Sequence, residues 1–483
     1  MNPKLRFAPS PTGNLHIGSV RTAIFNWVWA KKLNADLVLR IEDTDLERST
    51  KEFELNIIEG LTWLGINFDE GPSNPINNLK YRQSERIKDG VYEAYLTQLI
   101  ELGHAYYCFE SDEELDEERA LAEKQGIPYI YSRKSLNFSQ KEVDQKLADN
   151  VPYTIRFKVP DNKIITLNDE IRNKIDFDSN LFSDFIIIKS DGHPTYNFAV
   201  VVDDYEMGIT HVVRGEDHIS NTPKQIMIYE ALGWKVPTFA HLPIILGEDR
   251  SKLSKRHGAK SVSQYNEDGY LPHALINYLS LLGWAPPDGK ELLSIEELID
   301  LFEINRINKA GAVFDTVKLT WMNKQYLAKL SDDQFLDVVE SFLNQQNKTS
   351  LNKVKKILSI RDNVEMLSRV NHYLEVYNRS SHDFFEKFKL LPCSDVDKQV
   401  ISVISNTIKS GITWNKDAVQ SLIENTMATL EIGKGKVMKP LRKSITGDES
   451  GPNLVDCLAL IPIEDVKERL ELVENYVKKT PSS

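Results

Sequence analysis

Cysteine is scarce in this chain. Cys108, Cys393 and Cys457 are the only three in 483 residues, they lie far apart, and none forms a CxxC pair. That excludes a disulfide framework and a zinc ribbon. No apolar run is long enough to span a membrane, which removes a helical membrane protein from consideration. Fixed-period repeats and low-complexity tracts are also missing, so neither a solenoid nor a compositionally biased linker is expected. Positive charge is in deficit: 59 Lys and Arg stand against 71 Asp and Glu, a net charge of −12. Non-specific clinging to nucleic acid is therefore not expected, because phosphate binding needs local positive charge. A basic face on an acidic body stays compatible with RNA. The first residues, Met1-Asn2-Pro3-Lys4, lead directly into a strand-like segment, and a cytoplasmic location is the expectation.

What is present is an ordinary soluble composition, 41% hydrophobic and 27% charged. Single cores stop growing near ~250–300 residues, so several domains are expected. Leu5 and Phe7 alternate with Lys4 and Arg6 ahead of a Pro/Gly loop. From Ser19 the apolar residues Val20, Ile24, Trp27 and Val28 recur at helical spacing, and a strand follows over Leu37 to Glu42. This is β–loop–α–β, the opening of a parallel α/β sheet. Further strand-like runs cover residues 184–189, 196–202, 209–214 and 241–246, with a helical run from Asn221 to Leu232 between the last two. The acidic helix Ser111 to Lys124 and the alternating strand Tyr153 to Val159 mark an inserted domain from about residue 80 to about 190. After about residue 325 helical patterning dominates. Two basic clusters lie there, Lys353, Lys355, Lys356 and Arg361, then Lys434, Lys436, Lys439, Arg442 and Lys443. Either one alone reads first as a solvated helix face.

Two segments carry phosphate chemistry. The loop Pro9 to Gly18 sits between a strand and a helix, where open α/β sheets bind ligands. Gly13 and Gly18 would let the backbone approach phosphate or adenine, and His16 could donate to a triphosphate. Lys252-Leu253-Ser254-Lys255-Arg256 offers two lysines flanking Ser254, a clamp for a pyrophosphate leaving group. Alone, the first is as easily an ordinary loop, and the second reads first as an exposed basic loop. Together, and in this order, they look like the two halves of a class I aminoacyl-tRNA synthetase ATP site.

The chain resembles bacterial glutamyl-tRNA synthetases over essentially its whole length. Phe7 to Gly13 with His16-Ile17-Gly18 resembles that family's first signature, the HIGH element, and Arg40 to Asp45 its second. Pro194 to Ala199 and Val213 to His218 look like its later active-site blocks, and Lys252 to Gly258 like its mobile KMSKS loop. The resemblance implies a Rossmann-type α/β catalytic domain with a parallel sheet, an inserted α+β domain, and an all-α C-terminal anticodon-binding region. The expected divisions are residues 1–80 and 191–245 for the two catalytic halves, 81–190 for the inserted acceptor-end-binding domain and 246–324 for a stem-contact domain with the lysine loop. Two helical anticodon-binding subdomains follow, 325–372 and 373–483.

The implied activity is glutamate–tRNA ligation. L-glutamate and ATP would give glutamyl-adenylate and pyrophosphate, and the glutamyl group would pass to the 3′-terminal adenosine of tRNA(Glu), with tRNA(Gln) left open as a second substrate. ATP and Mg²⁺ are the expected cofactors, and the expected state is a monomer with no membrane partner. Glutamate has two carboxylates and one ammonium, so a selective site needs two cationic groups and one anionic group. Arg6 and Arg214, near strand ends, suit fork-like pairing with carboxylate. Glu42 would hold the α-ammonium with help from Ser10, and Tyr196 would donate to a carboxylate. By resemblance these five are the family's glutamate-binding positions. His16, Lys252 and Lys255 are the expected catalytic residues, and Pro9, Gly13, His16, Gly18, Leu253, Ser254 and Lys255 the ATP-binding ones. Arg361 lies near the place where the family has an anticodon-sensing arginine.

Two departures stand out. The class signature usually ends in a second histidine, and here that place is Ser19. Some relatives bind zinc in the inserted domain through Cys-x-Cys with a later Tyr and Cys. Cys108 is followed by Phe109 and Glu110, and the stretch from Tyr129 to Leu136 has no cysteine, so no zinc is expected. Glutaminyl-tRNA synthetases end in β-barrels, against the helical tail here. Truncated glutamyl transferases lack the anticodon part, and a binding-only descendant has no need of a pyrophosphate clamp.

Overall fold

The alternating segment at the start of the chain becomes β1 (Lys4–Phe7), in which Leu5, Arg6 and Phe7 are all buried. Burial on both faces is what a central parallel strand requires. The computed structural model describes residues 2–45, 47–127, 129–254, 256 and 260–479. Ten further strands follow among these: β2 (Asp36–Leu39), β3 (Ala105–Cys108), β4 (Thr154–Phe157), β5 (Ile164–Asp169), β6 (Asn173–Asp178), β7 (Phe185–Ile188), β8 (His211–Gly215), β9 (Thr238–Leu242), β10 (Ile245–Leu246) and β11 (Ala312–Val313).

The main sheet has the order β2-β1-β8-β9-β5-β6. Its first four strands pair in parallel, with Arg6 opposite Val38 and Arg214 opposite His241. β5 joins parallel to β9 through the single register Asp169 to Phe239, and β6 closes the edge antiparallel. The β5–β6 hairpin belongs to the segment between residues 81 and 190, and no local pattern announces that it extends the main sheet. β3, β4 and β7 form a separate antiparallel sheet. Helix Ile17–Leu33 is buried on most of its circumference, from Ile17 to Ala30, as expected for a helix packed within an α/β core. It stops at Asn34, whose left-handed backbone lets its N–H cap Ala30 and Lys31 carbonyls.

Three sequence expectations are corrected. Residues 196–202 form no strand but the first part of helix Tyr196–Glu206. Its β-branched run is buried on all sides, and a short buried apolar run has no period of its own to separate helix from strand. The expected strand over 241–246 breaks into β9 and β10, since Pro243 has no N–H to offer a ladder and Ile244 N–H turns to Glu216. The expected strand over residues 37–42 ends at Leu39. Beyond it, Ile41 makes an isolated bridge with Arg82, so Glu42 sits past the strand end.

The described residues divide into two compact units. The first takes in the chain up to Gln264 together with Leu275–Thr316, and the second Tyr265–Ala274 and the chain from Val317 onward. The second unit is helical, with a core that includes Phe335, Ile357, Leu374, Ile404, Leu441 and Leu470. Its longer helices include Asp395–Lys409, Lys416–Leu430, Lys434–Thr446 and Ile463–Val477. Ser331 and Ser394 open helices with reciprocal caps on Gln334 and Asp397. Among the described residues no helix is long and apolar enough to cross a membrane.

Candidate active site

Parallel strands deliver their C-terminal ends to one edge, where open α/β sheets place ligands. Arg6 of β1 and Arg214 of β8 arrive there almost completely buried, 3% and 5% exposed. Arg6 donates through Nε to Asp204, at 3.2 Å to Oδ1 and 3.4 Å to Oδ2. Arg40 Nη1 reaches the same carboxylate at 2.6 Å, and its Nη2 donates to Glu42 Oε1 at 3.0 Å. Arg6, Asp204, Arg40 and Glu42 thus form a chain of alternating charge. Burial works against the Asp204 charge, yet the two guanidinium groups outweigh it and hold the carboxyl below its usual range. For Glu42 the balance is reversed. Burial pushes its carboxyl up, and Arg40 offsets only part of this.

Arg214 is built differently. Its Nε donates to His241 Nε2 at 3.1 Å, its Nη2 to Thr222 Oγ1 at 2.9 Å, and its Nη1 has no hydrogen-bond partner. Among the described residues no carboxylate lies within ion-pair distance of it, and burial lowers its pKa. Tyr196, at the N-terminus of its helix, shares a 3.0 Å hydrogen bond between its hydroxyl and His218 Nδ1. Burial raises the Tyr196 hydroxyl, and Arg214, Glu42 and Arg6 all act on it electrostatically. Burial, then Arg214, holds His218 down at about 4. Arg6, Glu42, Tyr196 and Arg214 are therefore brought together around one spot. Ser10 is exposed on the adjoining loop, next to the hydrogen bond from Glu42 N–H to the Pro9 carbonyl.

The loop from Pro9 to Gly18 is shaped from within. His16 caps helix Ile17–Leu33 by accepting the Ser19 N–H at Nδ1, 3.3 Å, and its Nε2 faces Ser19 Oγ at 3.2 Å. Nδ1 must then be the unprotonated nitrogen, which leaves Nε2–H as the donor. Although the ring edge reaches solvent, local burial and then Lys252 lower its pKa. Ser19, in the place of the second histidine, is thus the residue that orients the first. A Cβ on Gly18 would come within 3.2 Å of the His16 ring, whereas one on Gly13 would meet nothing within 4 Å. The two glycines answer different demands, one internal and one directed outward.

The segment after β10 runs alongside. Leu253 N–H donates to the Ile245 carbonyl at 2.9 Å, and Lys252 Nζ lies 4.0 Å from Asp217. Leu253 and Ser254 are half-buried. Lys255 lies outside the described residues. Further on, Ser261 bridges His16 and Val262 N–H donates to the Leu15 carbonyl, so the returning chain is stitched to the first loop.

Residues 4–321 match the family described as tRNA synthetases class I (E and Q), catalytic domain. The chain belongs to the class I tRNA synthetases of the E and Q family. Residues 334–473 of this synthetase match an anticodon binding domain. It is 46% identical to the glutamate–tRNA ligase of Aquifex aeolicus over 97% of its own length and 98% of the relative's. With that of a Sulfurihydrogenibium species the identity is 45%, over 98% and 99%. The crystal structure of a glutamate tRNA ligase from Elizabethkingia meningosepticum in complex with its amino acid superposes with a TM-score of 0.87 at 35% identity, covering 98% of this chain and 99% of that one. As a class I synthetase the chain uses ATP.

Several residues packed into this candidate site are not marked by the sequence. Arg40 and His218 stand inside the family-like motifs without a role of their own there, and Asp204, Thr222, His241 and Asp169 lie outside those motifs. One signal was available for the acidic pair. With residues 196–206 taken as a helix, Asp203 and Asp204 fall two turns beyond Tyr196 on the same side. Asp203 is itself buried and accepts from Gln83, Arg86 and Tyr92. In the helical unit, Arg361 donates to Asp332 at 2.7 Å and to the Ala328 and Leu330 carbonyls. Lys443 is buried on Pro392 O and Glu449. Arg442 donates to Pro452 O, while Lys434, Lys436 and Lys439 are exposed.

Proposed function

We propose that this synthetase is a glutamate–tRNA ligase. It activates L-glutamate with ATP to glutamyl-adenylate and transfers the glutamyl group to the 3′-terminal adenosine of tRNA. The observation that carries the reading is the group of buried Arg6, Glu42 and Arg214 with half-buried Tyr196 beside the His16 loop. Arg6 spends its Nε on Asp204, which leaves its two Nη groups to fork onto a carboxylate. Arg214 has Nη1 for the other carboxylate. Glu42, with Oε1 taken by Arg40, offers Oε2 to the ammonium, with Ser10 as its neighbour.

No protein nucleophile is required. The substrate carboxylate attacks the α-phosphorus, the bond to the pyrophosphate oxygen breaks, and catalysis consists of positioning and charge stabilisation. His16 turns its Nε2–H from Ser19 Oγ to a phosphate oxygen. Lys252 leaves its weak, exposed pairing with Asp217 for the departing pyrophosphate, and Lys255 has the same role. Pro9, Gly13, Gly18, Leu253 and Ser254 line the nucleotide. Mg²⁺ bound with the nucleotide would supply charge neutralisation at the phosphates; among the described residues no group of three or more His, Cys, Asp or Glu could hold a metal ion.

The protein works as a cytoplasmic monomer, with residues 81–190 handling the acceptor end, 246–324 the stem, and the helices from 325 the anticodon. Lys434, Lys436 and Lys439 meet phosphate there, and Arg361 senses a base by exchanging Asp332 for it. ATP–pyrophosphate exchange dependent on glutamate and tRNA tests the reaction. No exchange under those conditions would favour a binding-only protein. The resemblance also implies that tRNA binds before glutamate is activated, and equal exchange without tRNA would refute that order. Charging purified tRNA(Glu) and tRNA(Gln) side by side decides whether one or both are substrates.

The zinc-free reading rests on Cys108. Its thiol faces Glu110 at 3.0 Å, Tyr131 at 3.4 Å and the Arg156 Nε–H at 3.3 Å, a polar cluster that Ser135 completes through Glu110. A guanidinium donating to the sulfur opposes a cation at that position. Chelator-washed protein is expected to contain no stoichiometric zinc by elemental analysis.

A further inference from the structure

Behind Arg214 stands a fully buried pair that the reaction as described does not use. His241, on β9, is the direct register partner of Arg214 on β8, and Asp169, on β5, lies on the far side of His241. Both side chains of the pair are completely buried. His241 Nδ1 is 2.6 Å from Asp169 Oδ2, and its Nε2 receives Arg214 Nε at 3.1 Å. Arginine Nε is always a donor, so Nε2 must be the acceptor and Nδ1 the nitrogen that carries the proton. Thr222 Oγ1 holds Arg214 Nη2, which leaves Nη1 as the one buried nitrogen of the fork without a partner. A bare imidazole could present either tautomer, and only one supports the guanidinium.

We infer that His241 and Asp169 are positioning residues for Arg214, fixing its plane so that Nη1 points at the substrate carboxylate. The inference rests on the glutamate-pocket reading above. Asp169 Oδ1 already accepts the backbone N–H groups of Ile171 and Arg172, at 3.0 and 2.7 Å, and of His241 at 3.3 Å. In Asp169→Asn the amide oxygen is therefore held by those three donors and the NH₂ is turned toward His241. The ring must then accept at Nδ1 and carry its proton on Nε2, where two N–H groups would face each other across the Arg214 contact. The β5–β6 hairpin also carries Arg172, which donates to the His241 carbonyl and pairs with Glu216. The segment inserted between the catalytic halves thereby supplies the far end of the relay.

The test measures the glutamate KM, the ATP KM and kcat in tRNA-dependent pyrophosphate exchange, with the circular dichroism spectrum and Tm of each variant. Asp169→Asn and His241→Leu are expected to raise the glutamate KM about tenfold to a hundredfold while the ATP KM moves less than about twofold, the size of one lost hydrogen bond to a charged group. His241→Gln keeps an acceptor near the Nε2 position and is expected to restore the glutamate KM to within about fivefold of wild type. If His241→Leu does not fold, the isosteric Asp169→Asn decides alone. A glutamate KM within twofold of wild type in folded Asp169→Asn would overturn the proposal, as would His241→Gln behaving like His241→Leu. Wild-type protein with no glutamate-dependent exchange at all would instead overturn the reading of the reaction, so the two failures are distinct.

Discussion

Arg6 and Arg214 stand on neighbouring strands, yet their surroundings assign them different tolerances. Arg6 shares Asp204 with Arg40, so Arg6→Gln removes a cation from the pocket while Asp204 keeps one partner. The expected result is a glutamate KM raised by about a hundredfold or more, with a stability loss of about 1–3 kcal/mol from the lost buried hydrogen bonds. Aminoacylation kinetics and urea unfolding check the two parts, and activity within a few-fold of wild type would remove Arg6 from the pocket. The glycines of the first loop separate in the same way. Gly18→Ala is expected to push the His16 ring away and lower kcat about tenfold, the range of a displaced catalytic donor, in a protein that unfolds near the wild-type temperature. Single-turnover adenylate formation reads this directly.

Helix Tyr196–Glu206 shows where local pattern stops being informative. Its run Phe198 to Val202 satisfies a strand and a buried helix equally, and only the polar turn at Asp203-Asp204 with its partners Arg6, Arg40 and Arg86 reveals the helix. By contrast, helix Ile17–Leu33 and the acidic helix Asp112–Gln125 were legible because a breaker, a cap and a 3.6-residue period agree. The helical unit has its own tight joint. Gly269 has φ +81°, and a Cβ there would lie 2.5 Å from both the backbone N and the Cβ of Leu367. The Leu367 N–H also donates to the Gly269 carbonyl at 3.1 Å. Gly269→Ala is expected to destabilise this unit by about 2 kcal/mol or more, combining left-handed strain with a backbone collision that no rotamer relieves. Chemical denaturation followed by a probe in the helical unit checks it.

At the scale of the whole molecule, acidification should act through buried histidines before Asp204 titrates, while Glu42, which burial raises, works in the opposite sense. Unfolded, His218 takes up a proton near its ordinary value of 6.5, whereas in the folded site it waits until about 4. Between these values the unfolded chain binds the extra proton, so stability falls as pH drops through that window and is level in this respect above it. His241 and His16, also lowered by burial, act in the same direction. Asp204, held below its usual range, adds its loss only at still lower pH. Tm measured in steps from pH 7 to 4 is expected to decline from about 6.5 downward, and His218→Gln is expected to flatten the upper part of that decline.

What the sequence determined by itself was the chemistry present. Two loops suited to phosphate, a set of charges proposed to match glutamate and a helical tail are legible because motifs and periodicity are local properties of the chain. The tertiary structure alone decided how that chemistry is held. The Arg6–Asp204–Arg40–Glu42 chain joins residues up to 198 positions apart, and the pair at Asp169 and His241 spans 72. Such pairs leave no local trace. A buried charge needs a partner wherever the fold brings one, and strand order, not sequence distance, sets which carboxylate or imidazole that is.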